Sequence, residues 1–289
     1  MYQLLDGKHV SEEIRKSLCT NLKIKMAIVL IGDDIPSQIY VNNKIKTAES
    51  MGISVNLHKY NDIHENDLLL LIDDLNNSDV NGIIVQLPLP RHINAQRILK
   101  HINPIKDIDG LHPYNYGQLI LNDSLDKMLI PATPFGIYLL LEHYKIQTCG
   151  KKCTIIGRGL TVGTPLNILL SKNIQYGNMT VTLCHSKTNN LQEHTLSADI
   201  LISATGISHL INENMVKKNA IVIDVGITRV KDDKKKCGTK LVGDVDYENV
   251  KNKCSYITPV PGGVGPMTII ALLSNLHKAY KIQHQLTNY

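Results

Sequence analysis

The chain has 289 residues, 43% of them hydrophobic, with one Phe and no Trp, so its core must be aliphatic. That length allows one large domain or two smaller ones. A net charge of +5 favours an anionic ligand but is too small and too dispersed to argue for nucleic acid. No apolar run reaches the ~18 residues of a membrane helix, and the N-terminus shows no signal peptide. The six cysteines (Cys19, Cys149, Cys153, Cys184, Cys237 and Cys254) form no CxxC pair. They read as reduced thiols in a cytoplasmic protein, and the basic run KDDKKK as a solvated loop.

Taken in chain order, the pattern predicts a helix over about 11–22 and a strand over 25–32. A second helix starts near Ser37 as N-cap and ends near Gly52. A strand at 54–60, a helix at about 66–75, the strand GIIVQL at 82–87 and a helix at 94–102 follow. After a linker near 116–133 a second series begins. It comprises an apolar helix at 136–143, a strand at 152–157, a glycine loop, a helix at about 165–170, and strands at 179–184, 198–204 and 220–226. A last helix at about 268–281 closes the chain. Strands alternating with helices imply parallel sheets in two α/β domains with a cleft between them.

Three segments carry chemistry. IIGRGLTVG follows a strand and opens a helix, the context of a dinucleotide loop. Gly157 and Gly159 would permit a tight turn near pyrophosphate, and Gly163 close helix packing. The spacing is GxGxxxG, which also suits a plain strand-to-helix turn. The next strand ends in CHSKT without the carboxylate that holds the ribose of NAD, and Ser186, Lys187 and Arg158 offer donors to a 2′-phosphate, so NADP is favoured. His185 and Lys187 read equally well as exposed loop polarity.

Tyr40 and Lys44, four apart on a predicted helix, share one face. Such a pair is commonly just amphipathic, and Tyr-x-x-x-Lys also marks short-chain dehydrogenases, but those place the glycine loop before it. In VQLPLP, Gln86 ends a buried strand, where it could hold the Lys44 amine or merely cap the loop. KDIDG offers Asp107 and Asp109, and the acceptor series of a calcium loop does not follow. His, Cys and carboxylates nowhere cluster at metal-ligand spacing.

The segments IGDDIPSQIYVNNK, VQLPLP, KDIDGLHPYNYGQL, IIGRGLTVG, VTLCHSKT and TPVPGGVGPMT, in this order, resemble the bifunctional methylenetetrahydrofolate dehydrogenase/cyclohydrolase family. The resemblance implies a folate-binding catalytic domain over residues 1–120, a Rossmann-like NADP-binding domain over 121–267, and a last helix at 268–289 packing back on the first. It implies oxidation of 5,10-methylenetetrahydrofolate with NADP⁺ and hydrolysis of the methenyl product to 10-formyltetrahydrofolate, in a homodimer serving one-carbon metabolism. Carried over residue by residue, Lys44 is the acid/base, Tyr40 stacks on the folate, Gln86 positions Lys44, and Asp109 anchors the pterin while Asp107 is a loop residue. Val85, Leu87, Pro261, Gly262, Gly263 and Val264 flank the folate, and Gly157, Arg158, Gly159, Ser186 and Ile227 hold the cofactor. The chain departs from the family at Ala132, often cysteine, and at Gly159 and Thr164, where many members have serine and arginine. The last two bear on the strength of the NADP preference. A dehydrogenase of another substrate, or an inactive NADP-binding module, would not need Tyr40, Lys44, Gln86 and Asp109 together.

Overall fold

The computed structural model describes residues 2–18, 22–122, 124–232 and 238–286. Cys19, Cys237, residues 233–236 of the basic run and residues 19–21 of the first predicted helix lie outside the described residues. The chain divides into two compact units, Ile14–Ala132 with Ile269–Tyr289 and Met1–Glu13 with Thr133–Thr268.

Strand β1 (Gln3–Leu4) and helix α1 (Gly7–Leu18) come first. Next are β2 (Lys25–Ile31), α2 (Ile35–Glu49), β3 (Ser54–Tyr60), α3 (Glu65–Asn77), β4 (Gly82–Val85), α4 (Ala95–His101) and α5 (Pro113–Leu121). In this first unit the sheet order is β3-β2-β4, all parallel. The central strand β2 buries every residue from Met26 to Ile31, the continuous apolar run expected of a parallel strand covered on both faces. Helix α3 lays Leu68, Ile72 and Leu75, spaced by four and three, against Ala27, Val29, Ile83 and Val85. A parallel bridge between Ile83 and Asp107 fastens the KDIDG segment to β4.

Next along the chain are α6 (Ala132–His143), β5 (Lys152–Ile156), α7 (Gly163–Ser171), β6 (Thr180–Cys184), α8 (Leu191–Ser197), β7 (Ile200–Ser203) and β8 (Ala220–Asp224). An antiparallel pair, β9 (Thr228–Lys231) and β10 (Thr239–Val242), leads to α9 (Tyr247–Val250), β11 (Cys254–Ile257) and α10 (Val264–Gln283). The second unit's six-stranded sheet runs β1-β11-β8-β7-β5-β6, every pairing parallel. From β5 the chain moves outward to β6, then returns to β7 on the other side. Beside β5 therefore lies the topological switch point at which open α/β sheets bind ligands.

Several boundaries differ from the sequence reading: α1, α6 and α10 each begin four residues earlier than expected, and three further differences have a plain local cause. Helix α2 is capped by Asp34, whose carboxylate accepts the Ser37 N–H at 2.8 Å, with a proline at its start; Ser37 itself is inside the helix. Helix α5 occupies part of the expected linker, because the His112 Nδ1 accepts the Tyr114 N–H at 2.9 Å and nucleates it. Residues 1–13 cluster with the second unit, since β1 adds to its sheet beside β11. Among the described residues no helix is long and apolar enough to cross a membrane.

Candidate active site

Helix α2 buries Ser37, Val41, Lys44 and Ala48, one stripe at helical spacing, and Lys44 is only 3% exposed. The stripe carries the amine inward with its apolar neighbours. Directly after β4, Gln86 donates its backbone N–H to Val29 O at 2.9 Å, which extends the strand pairing by one residue. Its Nε2 donates to Leu87 O at 2.7 Å, and this leaves Oε1 to accept Lys44 Nζ at 3.1 Å. The same Nζ lies 4.9 Å from the centroid of the half-buried Tyr40 ring. Burial pushes the Lys44 amine below its usual range, while the charge of Asp109 acts in the opposite direction. Four residues singled out in the sequence, Tyr40, Lys44, Gln86 and Asp109, thus meet at the carboxyl ends of β2 and β4. Val85 is buried in β4, and Leu87 is half-buried beside it.

The two carboxylates of KDIDG take opposite parts. Asp109 is half-buried, whereas Asp107 is 1% exposed. Asp107 Oδ2 accepts the His112 N–H at 2.7 Å and Asn115 Nδ2 at 2.9 Å, closing the loop on the start of α5. Burial raises its carboxyl to about 7. Asp107 is therefore a buried anchor beneath the loop that presents Asp109. From the other end of the chain, Asn275 of α10 donates to Ile108 O at 2.9 Å and Ile130 O at 2.7 Å. Asn275 escaped the sequence reading because a lone Asn in an apolar helix carries no pattern.

In the second unit the glycine loop leaves β5 at the switch point. Gly157 has φ +108°, and a Cβ there would stand 2.3 Å from Ala204 O. A Cβ on Gly163 would meet Gly157 O at 1.7 Å, so only glycine lets α7 approach the turn this closely. Arg158 and Gly159 are exposed on the loop, as are Ser186 and Lys187 just beyond β6. The His185 ring turns back to accept the Lys187 N–H at 3.1 Å, bracing its own turn. These groups share the carboxyl edge of one parallel sheet. A narrow glycine cradle at a helix N-terminus with exposed cationic and hydroxyl groups beside it fits a phosphorylated dinucleotide.

Ile227 follows β8 on the same edge, exposed. The turn before it rests on two aspartates, Asp224 and Asp244, to which the sequence reading gave no role. Asp224 accepts the backbone N–H groups of Gly226, Asp244 and Val245 at 3.0, 2.9 and 2.9 Å. Asp244 accepts Ser203 Oγ at 2.8 Å and the Thr205 N–H at 2.7 Å. Burial lifts Asp224 to about 6. In the loop Pro261–Val264, Gly263 and Val264 are buried, and a Cβ on the next residue, Gly265, would touch Ile227 at 3.8 Å. This loop belongs to the second unit, whereas Tyr40, Lys44, Gln86 and Asp109 belong to the first.

A glycine cradle at the switch point of one parallel sheet defines a dinucleotide-binding α/β protein, and a second sheet carries a buried lysine beside its strand ends. The family model "Tetrahydrofolate dehydrogenase/cyclohydrolase, catalytic domain" matches residues 5–109. The companion model for the NAD(P)-binding domain matches residues 131–284. The "Bifunctional protein FolD" of Amoebophilus asiaticus is 50% identical, with 96% of each chain covered. The crystal structure of the bifunctional FolD methylenetetrahydrofolate dehydrogenase/cyclohydrolase from Campylobacter jejuni superposes with a TM-score of 0.90 at 43% identity, over 98% of this chain and all of that one. That of the Trypanosoma brucei dehydrogenase-cyclohydrolase, complexed with NADP cofactor and inhibitor, gives 0.92 at 33% identity, over 98% and 99%. The chain belongs to the tetrahydrofolate dehydrogenase/cyclohydrolase family. Its two matched segments, residues 5–109 and 131–284, are the family's catalytic domain and its NAD(P)-binding domain.

Proposed function

We propose that the first unit carries both chemical steps on one folate molecule, with Lys44 as the acid–base group of the hydrolysis. The observation behind this reading is the Lys44 amine itself, buried, bound to Gln86 Oε1 at 3.1 Å and set 4.9 Å from the Tyr40 ring. Gly157, Arg158, Gly159, Ser186 and Ile227 would hold NADP⁺, which would supply the hydride acceptor for oxidation of 5,10-methylenetetrahydrofolate. The first step leaves a carbon whose positive charge is shared by two nitrogens, so the protein's task is alignment and exclusion of water.

In the second step water adds to that carbon and loses a proton to Lys44. The carbon–nitrogen bond then breaks, and the proton is returned to the departing nitrogen, giving 10-formyltetrahydrofolate. An ordinary lysine, with a pKa near 10.4, is already protonated at neutral pH and cannot accept this proton. Burial supplies the correction, and the substrate cation adds to it. Gln86 fixes the amine without adding charge, which would undo that correction. Tyr40 stacks on the folate, Asp109 accepts the amidine-like edge of the pterin in a bidentate pair, and Val85 and Leu87 flank the ring. On family likeness we further infer a cytoplasmic homodimer supplying one-carbon units for purine biosynthesis.

The test is Lys44→Met, assayed for hydrolysis of methenyltetrahydrofolate and for NADP binding. Hydrolysis falls by about 10²–10⁴-fold, while the NADP dissociation constant stays where it was. Hydrolysis at the native rate would remove Lys44 from the mechanism.

A further inference from the structure

The second unit also brings together two histidines and a carboxylate from distant parts of the chain. His9 and Glu13 lie four apart on α1, and His143 is the last residue of α6. Glu13 meets His9 Nε2 at 3.3 Å and His143 Nδ1 at 3.5 Å. One donor atom from each residue lies within 4.8 Å of both others, and among the described residues this is the one such group of three. We propose that His9, Glu13 and His143 form a binding site for a divalent transition-metal ion, with Zn²⁺ as the reference ion.

Zinc lies about 2.0–2.2 Å from imidazole nitrogen and carboxylate oxygen, so donors on a tetrahedron stand roughly 3.4 Å apart. His9 meets Glu13 Oε1 and His143 meets Oε2, so the carboxylate lies between the two rings, and rotation of these exposed side chains brings one donor of each, now within 4.8 Å of the others, onto a common ion. The imidazoles are inclined at 82° with centroids 6.2 Å apart, so neither ring blocks the other's nitrogen. Two imidazoles and one carboxylate select zinc and its first-row neighbours over magnesium and calcium, which prefer all-oxygen shells. An ion pair between His9 and Glu13 alone would need no third partner.

The backbones bearing the donors are braced independently of any ion. Asp6 Oδ1 accepts the His9 N–H at 3.0 Å, and the Asp6 N–H donates to Tyr144 Oη at 3.0 Å, one residue beyond His143. The His143 ring also packs edge-on against Tyr144, with centroids 5.0 Å apart. An ion here would pin the first turns of α1 to the end of α6. That turn also holds the Pro261–Val264 loop, through the Lys8 N–H to Gly262 O at 2.9 Å. The exposed fourth position is left to water, and none of the three ligands is among the residues assigned to the folate or the cofactor.

The experiment titrates the full-length protein with Zn²⁺, and with Co²⁺ as a spectroscopic stand-in, in parallel with His9→Gln/His143→Gln and Cys149→Ser. Among the described residues Cys149 is the exposed thiol that could compete for the ion. The expected result is one Zn²⁺ bound per chain at micromolar free metal, a rise in melting temperature, and Co²⁺ bands of tetrahedral intensity. All three signals are retained in Cys149→Ser. In the double histidine variant affinity falls by at least about 10-fold, while its melting temperature without metal and its NADP affinity remain native, showing that it is folded. Stoichiometric binding that persists in the double variant, or the absence of any bound ion at micromolar free Zn²⁺, overturns the proposal.

Discussion

Asp107→Asn isolates the energetic cost of a buried carboxylate. Asp107 is 1% exposed, and its carboxyl is raised from 3.8 to about 7. Both recorded hydrogen bonds to its side chain, from His112 N–H and Asn115 Nδ2, end on the same oxygen. An asparagine carbonyl placed there keeps both. Between pH 4 and pH 7 the folded protein holds a proton at this position that the unfolded chain has released. Native stability therefore falls as pH rises through that window, by about 1.4 kcal/mol per unit, and levels off above pH 7. The full effect of the roughly three-unit shift is about 4 kcal/mol. Asparagine does not titrate, so the variant should gain on the native protein progressively from pH 4 to pH 7. With a urea slope of about 3 kcal/mol/M, the gap in unfolding midpoint reaches the order of 1 M at pH 8. With no Trp in the chain, far-UV circular dichroism in urea at a series of pH values is the direct assay. A gap that stays constant between pH 5 and pH 8 would refute the argument, because the two proteins would then bind protons alike.

Two further substitutions probe the two units separately. Gln86→Glu places a carboxylate against the Lys44 amine and should move the acidic limb of the hydrolysis pH profile, where Lys44 takes up its proton, upward by about 1–2 units; an unmoved profile would mean that Gln86 does not contact the functional amine. Gly163→Ala puts a methyl 1.7 Å from Gly157 O and should cost about 3 kcal/mol or abolish NADP binding. Native melting and native cofactor affinity together would show that the turn relaxes freely.

The site was legible wherever local geometry decides which way a side chain points. The helical spacing of Tyr40 and Lys44 and the strand-end position of Gln86 are set by secondary structure, and the sequence shows both. Asp107 and Asp109 were harder. Two residues apart in a non-helical loop, they are told apart by the Ile83–Asp107 bridge and by Asn115, which are tertiary contacts. The long buried strands β2 and β4 announced themselves by composition. Strand β1 has only two residues and owes its existence to β11 at the far end of the chain. Helix α5 begins on polar residues, and its nucleus is one histidine side chain, a signal easily read as a loop. His143 joins His9 and Glu13 only after α6 has been placed beside α1, so no spacing rule could have united them.

The two units are threaded through one another. Residues 1–13 belong with 133–268, and the intervening 14–132 wait for 269–289. Until the last helix has been synthesised, Ile108 and Ile130 lack the amide of Asn275, and Asn81 lacks the Nε2 that Gln283 donates to its carbonyl at 2.8 Å. A ribosome translating this chain therefore cannot release a finished first half while the second is still being made. Cutting the gene at the apparent boundary would strand one end of each unit on the wrong fragment. The two units are consequently inherited as a single object, and no single cut in the gene removes one of them without taking part of the other.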